Sequence, residues 1–277
     1  MSDEPENQTP EPAEAPKPRP KPAKRGRFGF KKKEKKTYDS MTGLLWHEWI
    51  KPLGLIFIIM GSFRLTLIDW FDVPTGSMEP TIMAGDRIVV NKSAFGLRVP
   101  FTKDKWILHW GTPHRGEIVV CYSPDQGDEV RLVKRIVAEP GDTIEMRDGR
   151  LYINGQAPEY SELDHHGFEY IDPVVASKHE FFTETIDGFG HAVMFEVGRP
   201  QAIRNFPETT VPENMYVMIG DNRDHSKDSR AWNMSQEQWG TAIDFMPGQR
   251  IQGRAFAVAF SLDHWKPRWG RFFQGIH

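Results

Sequence analysis

The chain has 277 residues, 39% hydrophobic and 26% charged, which is enough apolar material for a packed core and excludes wholesale disorder. Its single cysteine, Cys121, excludes an intramolecular disulfide and a Cys/His zinc finger. The net charge of −3 is unevenly distributed: residues 1–16 hold five acids, and residues 17–36 hold eleven Lys/Arg and one Glu. That leaves 24 basic and 32 acidic residues in the body of the chain, which argues against a nucleic-acid-binding globule.

The N-terminal segment is rich in proline and poor in apolar residues. Seven of the 21 prolines fall within the first 22 residues. Such a segment cannot bury enough apolar surface to fold alone. We therefore predict a disordered tail over residues 1–43, basic from residue 17. The basic stretch is either a solvated tail or the cytoplasmic flank of a membrane segment.

An apolar segment follows at Pro52–Ile68. Twelve uncharged residues separate Lys51 from Arg64, about 18 Å of helix against a bilayer core of about 30 Å. Extending the helix to Ile68, with Arg64 reaching towards the interface, gives roughly 26 Å. Aromatic residues flank the segment on both sides like interfacial belts, namely Trp46, Trp49, Trp70 and Phe71.

This pattern predicts a single membrane-anchoring helix within residues 44–71, and a buried or interfacial helix is the alternative. It is not a standard signal peptide, because it starts late and no small-residue cleavage site follows it. If the helix spans the membrane, the basic arm is cytoplasmic and everything after Trp70 is on the outer face.

The remaining residues are predicted to form mostly strands and turns. Runs rich in β-branched and other apolar residues predict strands at Arg87–Asn91, Glu117–Tyr122, Val130–Val137, Thr143–Met146, Arg150–Ile153, Met215–Ile219 and Arg254–Phe260. Residues 156–213 are less regular and are predicted to be an excursion from the core. Two aromatic stretches, Trp106–Trp110 and Trp265–His277, could contact lipid or pack on the β body, and the sequence leaves both alternatives open.

One serine stands in a restrained turn directly after the apolar segment. Pro74 and Pro80 restrict the backbone around Ser77, and Gly76 leaves no side chain beside it. Ser77 could therefore present its hydroxyl in an open groove as a nucleophile, although an ordinary turn serine would look the same.

A lysine lies in the middle of a predicted apolar strand. Lys134 shares a strand face with Leu132 and Ile136, because side chains alternate between faces. Burial there would lower its pKa, and a neutral amine can accept a proton from a serine hydroxyl. The alternative is an edge-strand lysine that opposes aggregation.

The stretch from Gly220 to Arg230 is dense in hydrogen-bonding side chains and follows an apolar strand. A polar surface loop is one interpretation. A calcium-binding loop matches poorly, because the required glycine and distal glutamate are missing from their positions.

Four motifs occur here in a fixed order: PTGSMEPT, GDRIVVNK, LVKRIVAEPGD and GDNRDHSKDSR. Together with the upstream apolar segment, they resemble the bacterial type I signal peptidases, which are Ser/Lys proteases that remove signal peptides from exported preproteins. The resemblance runs from about Trp70 to the end of the chain. It implies a mainly β fold: a signal-peptidase-like catalytic core over residues 72–277 with an accessory β lobe inserted at about 156–213, preceded by one transmembrane helix and the basic tail.

The resemblance also implies residue roles. Ser77 matches the nucleophile and Lys134 the general base. Thr75 matches a hydroxyl residue of the oxyanion hole, where it acts beside the backbone N–H of Ser77. Ser226 matches the serine that orients the base.

Further roles follow from the same resemblance. Asp228 and Arg230 match residues that buttress the loop. The family's substrate pockets are shallow and favour small residues at −1 and −3 of the cleavage site. The apolar positions that line these pockets correspond here to Phe71, Val73, Ile88 and Val133. The sequence departs from the family at His225, where asparagine is usual, and over residues 156–213.

The implied partners are signal peptides of exported preproteins and membrane lipid, with no nucleic acid, cofactor or metal. The implied location is the inner membrane, with the N-terminus cytoplasmic and Ser77, nine residues past Ile68, at the outer surface. A self-cleaving Ser/Lys repressor-type protease is an alternative, but the only Ala-Gly pair, at Ala84, lies after Ser77. A penicillin-binding-type acyltransferase would need lysine three residues after the serine, where Pro80 stands. The remaining alternative is an anchored binding domain without catalysis.

Overall fold

The computed structural model describes residues 41–99, 102, 105–164, 168–199 and 202–276. Residues 1–40 of the predicted tail lie outside this range. The chain divides into two compact units, Met1–Lys51 and Pro52–His277. The described part of the first unit is helical, with α1 at Met41–Leu45 followed by a π-helical turn at Trp46–Ile50.

An apolar helix, α2, is present where the sequence predicts one, at Lys51–Thr66. Between Leu53 and Met60 its apolar side chains are exposed rather than packed in a core, Phe57 being 75% and Ile58 68% exposed. The helical stretch Met41–Gly61 is long and apolar enough to cross a membrane, judged by length and composition. The alternative of a buried core helix is therefore not what the structure contains.

The helix ends earlier than the predicted limit of residue 71. Residues Ile68–Asp72 form a strand, β1, paired antiparallel to β2 with Ile68 opposite Asn91 and Phe71 opposite Ile88. The backbone groups of Ile68–Asp72 bond to those of β2, and a helix that continued through these residues would lose this pairing. Phe71 therefore belongs to the sheet and not to an aromatic belt at the end of the helix.

The rest of the fold is mainly β, as predicted. The remaining strands are β2 Asp86–Asn91, β3 Gly96–Arg98, β4 Trp106–His109, β5 Ile118–Tyr122, β6 Arg131–Ala138, β7 Thr143–Arg147, β8 Arg150–Ile153, β9 Glu159–Glu162, β10 His179–Ile186, β11 Phe189–Glu196, β12 Phe206–Thr210, β13 Met215–Ile219, β14 Met246–Pro247, β15 Ile251–Asp263 and β16 Lys266–Pro267. One short helix, α3, spans Pro173–Ala176.

The main sheet has the strand order β1-β2-β15-β5-β6-β13-β14, with β16 paired to β15, and all its pairs are antiparallel. The strand β6 lies between β5 and β13, and this position explains why its second half is buried. Its side chains alternate between two apolar clusters, with Val133 in one and Leu132 and Ile136 in the other. Both faces of this strand are therefore covered.

The irregular region contains an ordered excursion, made of α3 and a three-stranded sheet in the order β11-β10-β9. The strand β12, inside the predicted insertion, instead joins β7 and β8 in a separate three-stranded sheet. The excursion also contacts the main body, since Met194 N donates to Asp221 O at 3.0 Å and Arg223 N donates to Met194 O at 3.0 Å.

Each of the two aromatic stretches has some side chains packed against the β body and others exposed. Trp106 packs against a core cluster under Arg98, whereas Ile107, Leu108 and Trp110 are more than half exposed. In the C-terminal tail, Arg271 is buried against Asp86 at 2.6 Å. Three aromatic side chains of this tail remain largely exposed: Trp265, Trp269 and Phe273.

Candidate active site

Ser77 lies on the connection between β1 and β2. Backbone bonds close this connection: Val73 N donates to Asp86 O at 2.9 Å, and Gly85 N donates to Val73 O at 2.8 Å. Met78 is completely buried, so its side chain fixes the turn in the core. Ser77 itself is only half-buried, so the turn that carries it reaches the surface.

Lys134 meets this serine from β6. Its Nζ lies 2.7 Å from Ser77 Oγ and 2.9 Å from the Val133 carbonyl oxygen, and the side chain is only 3% exposed. The sequence separates the two residues by 57 positions, and the antiparallel sheet brings them together. The predicted serine–lysine pair is therefore within direct hydrogen-bonding distance.

Burial is the main electrostatic influence on this lysine. It lowers the pKa of Lys134 from the ordinary value of 10.5, and the carboxylate of Asp228 opposes this shift only in part. A lowered pKa increases the fraction of the amine that is neutral at a given pH, and the neutral amine has a lone pair that can accept a proton. Burial also raises the pKa of the Cys121 thiol to about 12, so this cysteine is an unreactive thiol.

The loop after β13 closes over the pair and is held by a buried ion pair. Arg230 Nε donates to Asp228 Oδ1 at 2.8 Å and Arg230 Nη2 donates to Asp228 Oδ2 at 2.7 Å, with both side chains almost completely buried. Asp228 also accepts from Gly220 N at 3.0 Å. Burial alone would raise the pKa of Asp228, but the Arg230 guanidinium outweighs it and the net pKa is lowered. The carboxylate therefore stays charged in the interior.

Ser226 is in the site, but it does not make the contact that the resemblance implies. The partners of Lys134 Nζ are Ser77 Oγ and Val133 O, whereas Ser226 Oγ is buried and interacts with the carboxylate of Asp228. The Val133 carbonyl occupies the second position at the amine. Ser226 instead packs against Gly220, where an added Cβ would lie 2.3 Å from Ser226 Oγ.

The four predicted pocket residues belong to a single apolar cluster. Phe71 and Val133 are half-buried at its surface, whereas Val73 is 4% and Ile88 0% exposed. Ile88 sits on a strand between β1 and β15, so it supports this surface from below rather than lining it. Phe71 and Val133 are the members that a ligand can reach.

Thr75 lies two residues before Ser77 and is exposed. Among the described residues its hydroxyl has no hydrogen-bond partner, so it is free to donate to a bound ligand. The backbone N–H of Ser77 is on the same turn. These two donors are the predicted oxyanion-hole groups.

Comparison with known proteins shows the family to which the chain belongs. The family profile described as Signal peptidase, peptidase S26 matches residues 46–260. The chain belongs to the signal peptidase family. A protein named Signal peptidase I from Pseudomonas fluorescens is 35% identical over 76% of this chain and 70% of its own. The Signal peptidase I of Pseudomonas aeruginosa is 34% identical over the same shares.

Among solved structures, a signal peptidase I from Enterococcus faecalis V583 aligns with 52% of this chain and 97% of its own. The identity is 27% and the TM-score 0.29. Membership of the signal peptidase family makes this protein a serine endopeptidase.

The sequence analysis missed two residues of this signal peptidase site. Asn222 N donates to Ser77 O at 3.2 Å, and Asn222 Nδ2 donates to Gly76 O at 3.1 Å, so the backbone and the side chain of one residue both hold the serine turn. An added Cβ at Gly220 would lie 2.3 Å from Ser77 O, so only glycine allows this close approach. Both residues stand in the GDNRDHSKDSR motif, which was the available signal.

Among residues 41–99, 102, 105–164, 168–199 and 202–276, no group of three or more His, Cys, Asp or Glu side chains is placed to hold a metal ion.

Proposed function

We propose that this protein cleaves N-terminal signal peptides from exported preproteins, with Ser77 as nucleophile and Lys134 as general base. The observation that supports this most directly is the 2.7 Å separation of Lys134 Nζ from Ser77 Oγ, with the lysine buried and its pKa lowered. The names of the relatives supply the substrate class.

The mechanism follows from these groups. Ser77 Oγ attacks the scissile carbonyl carbon as Lys134 Nζ takes the hydroxyl proton. The negative charge that develops on the carbonyl oxygen is stabilised by the Ser77 N–H and the Thr75 hydroxyl. The C–N bond then breaks, and Lys134 returns the proton to the leaving amine.

The product of this step is an ester between the signal peptide and Ser77. Neutral Lys134 next takes a proton from water, and the resulting hydroxide equivalent attacks the ester carbonyl. Collapse releases the signal peptide carboxylate, and the proton returns to Ser77 Oγ. Each proton removed by the lysine is thus returned within the cycle.

Specificity would come from the apolar surface beside the serine. Phe71 and Val133 offer only shallow contacts over the buried Val73 and Ile88, so small side chains at −1 and −3 fit there and large ones collide. Ser226, Asp228 and Arg230 act through the loop that holds Gly220 against Ser77 and are positioning residues.

The exposed apolar helix would anchor the enzyme in the inner membrane. Its uncovered side chains need an apolar environment, and the basic residues 17–36 would keep the N-terminal tail, residues 1–43, in the cytoplasm. The catalytic domain then lies on the periplasmic face and begins with β1, and its accessory excursion falls at about 156–213. Membrane lipid is accordingly a partner.

A cleavage assay tests the proposed function. The detergent-solubilised protein should cut a peptide with alanine at −1 and −3 at one bond, and replacing the −1 alanine by tryptophan should reduce the rate by at least about 10²-fold, as expected for a large side chain in a shallow site. Mass spectrometry of the products locates the cut. Efficient cleavage after tryptophan, or no cleavage of the alanine peptide, would contradict the proposal.

The pH dependence tests the role of Lys134. The active form carries a neutral amine, so kcat/KM should rise with pH and level off above a pKa that lies below 10.5. The direction is fixed because raising the pH removes the proton from the lysine. Initial rates on the alanine peptide measured from about pH 6 to about pH 10 give the profile. A flat profile between about pH 7 and about pH 9 would argue against a lysine base.

A further inference from the structure

A second depression adjoins the serine turn, separate from the apolar surface. It is a cleft of about 500 Å³ lined by Gly76, Glu79 and Asn222 beside the serine turn, by His179 and Glu196 of the β10–β11 hairpin, and by Lys178 between α3 and β10. It shares no residue with the apolar cluster of Phe71 and Val133. Gly76 directly precedes Ser77, so the two surfaces flank the serine turn.

We propose that this cleft, here called the leaving-chain cleft, binds the first residues of the mature protein, from +1 to +3 after the scissile bond, and that Lys178 favours an acidic side chain among them. A peptide cut at Ser77 must extend in both directions from the scissile bond. The apolar surface takes the signal-peptide side, which leaves the polar cleft for the other side. This inference rests on the proposed function.

The inner part of the cleft is rich in hydrogen-bond acceptors. Asn222 uses its Nδ2 on Gly76 O, and its Oδ1 has no partner among the described residues. His179 Nδ1 lies 2.7 Å from Val175 O and so carries the proton, which makes the unpartnered Nε2 an acceptor in the neutral ring. Acceptors of this kind suit the backbone N–H groups of a peptide and the amine that cleavage releases.

Glu79 adds a carboxyl group to this inner part. Its Oε1 accepts only a long bond from Ala84 N at 3.4 Å, and its carboxyl packs against Gly76, where an added Cβ would lie 2.7 Å away. A carboxyl group beside the serine turn is well placed to receive the positively charged amine of the released chain.

In the outer part of the cleft, unlike the inner part, the carboxylate of Glu196 already has partners. Glu196 Oε2 lies 2.8 Å from Arg199 Nη1 and 2.9 Å from His225 Nε2. Lys178 is exposed and has no carboxylate within ion-pair distance among the described residues. A chain leaving the serine thus passes acceptors first and then an unpaired ammonium, which attracts an acidic side chain.

The test uses peptides that share alanine at −1 and −3 and differ in a single residue, Asp or Lys, at +1, +2 or +3. The wild-type enzyme should cleave the Asp peptide about threefold to fivefold more efficiently in kcat/KM at one of these positions, the size expected of an exposed ion pair. Lys178→Glu should abolish or invert that ratio. Lys266→Glu, the same charge change on an exposed residue outside the cleft, should preserve it.

The ratio within each enzyme preparation cancels any general loss of activity. Equal cleavage of Asp and Lys peptides by the wild type at all three positions would overturn the proposal, as would the same ratio in Lys178→Glu and Lys266→Glu. If no peptide with alanine at −1 and −3 is cut at all, the proposed function itself fails, and this outcome is distinct from loss of selectivity.

Discussion

Replacing Ser77 by alanine should lower kcat/KM for the alanine peptide by at least about 10⁴-fold, because the attacking oxygen is lost. Lys134→Ala should cause a loss of the same order, and the double variant should lose little more, since the two groups act as a unit. Lys134→Arg should also be inactive, because a guanidinium stays charged and cannot accept the proton. Rates measured with purified protein in detergent check all four variants.

A matched control is available in Lys92. Burial also lowers the pKa of this lysine, but its Nζ lies 3.8 Å from Asp69 and it is not bonded to Ser77. Lys92→Ala should therefore keep most of the activity. Appreciable cleavage by Ser77→Ala or Lys134→Ala, with thermal unfolding unchanged, would refute the serine–lysine pair.

Replacing Asp228 by alanine should lower the free energy of unfolding by about 3–5 kcal/mol, because it leaves the guanidinium of Arg230 buried without its counter-ion. The backbone N–H of Gly220 loses its acceptor as well. The loop that clamps Ser77 should loosen, so kcat/KM should fall with stability. Urea unfolding of the detergent-solubilised protein measures the change.

The double variant Asp228→Ala/Arg230→Met is the control for this effect. It removes both charges, so its loss of stability should be smaller than the sum of the losses from the two single replacements. A loss below about 1 kcal/mol for Asp228→Ala would show that the pair contributes no more than an exposed one.

Local patterns predicted much of this fold because the strands carry their own signals. β-branched runs located β2, β5 and β6 to within a residue or two, and the alternation along β6 placed Lys134 on the face of Leu132 and Ile136. These features depend on neighbours along the chain, which a single sequence contains.

The site needed more than local pattern. That Lys134 meets Ser77 depends on pairing between strands far apart in sequence, and it was accessible only through the resemblance of four ordered motifs. The buried ion pair of Arg135 with Asp221, bonded at 2.9 and 2.8 Å, gave no signal, since a charged residue in a strand pattern usually points to solvent.

The predicted C-terminal end of the apolar helix, residue 71, was wrong for a related reason. Ile68–Asp72 is apolar enough to continue a helix, and only its long-range pairing with β2 makes it a strand. The partner strand lies about twenty residues away, beyond the serine turn, so hydropathy alone could not reveal the change.

The junction between α2 and β1 consists of a single residue, Leu67, and Ser77 follows Ile68 by nine residues. A segment of that length reaches at most roughly 30 Å when extended, and the pairing of β1 with β2 holds its first five residues in place in the sheet. With α2 as the proposed membrane anchor, this short connection would fix the distance between Ser77 and the bilayer surface. A preprotein whose scissile bond emerges farther from the bilayer than that distance would not be cut, however well its sequence fits the site.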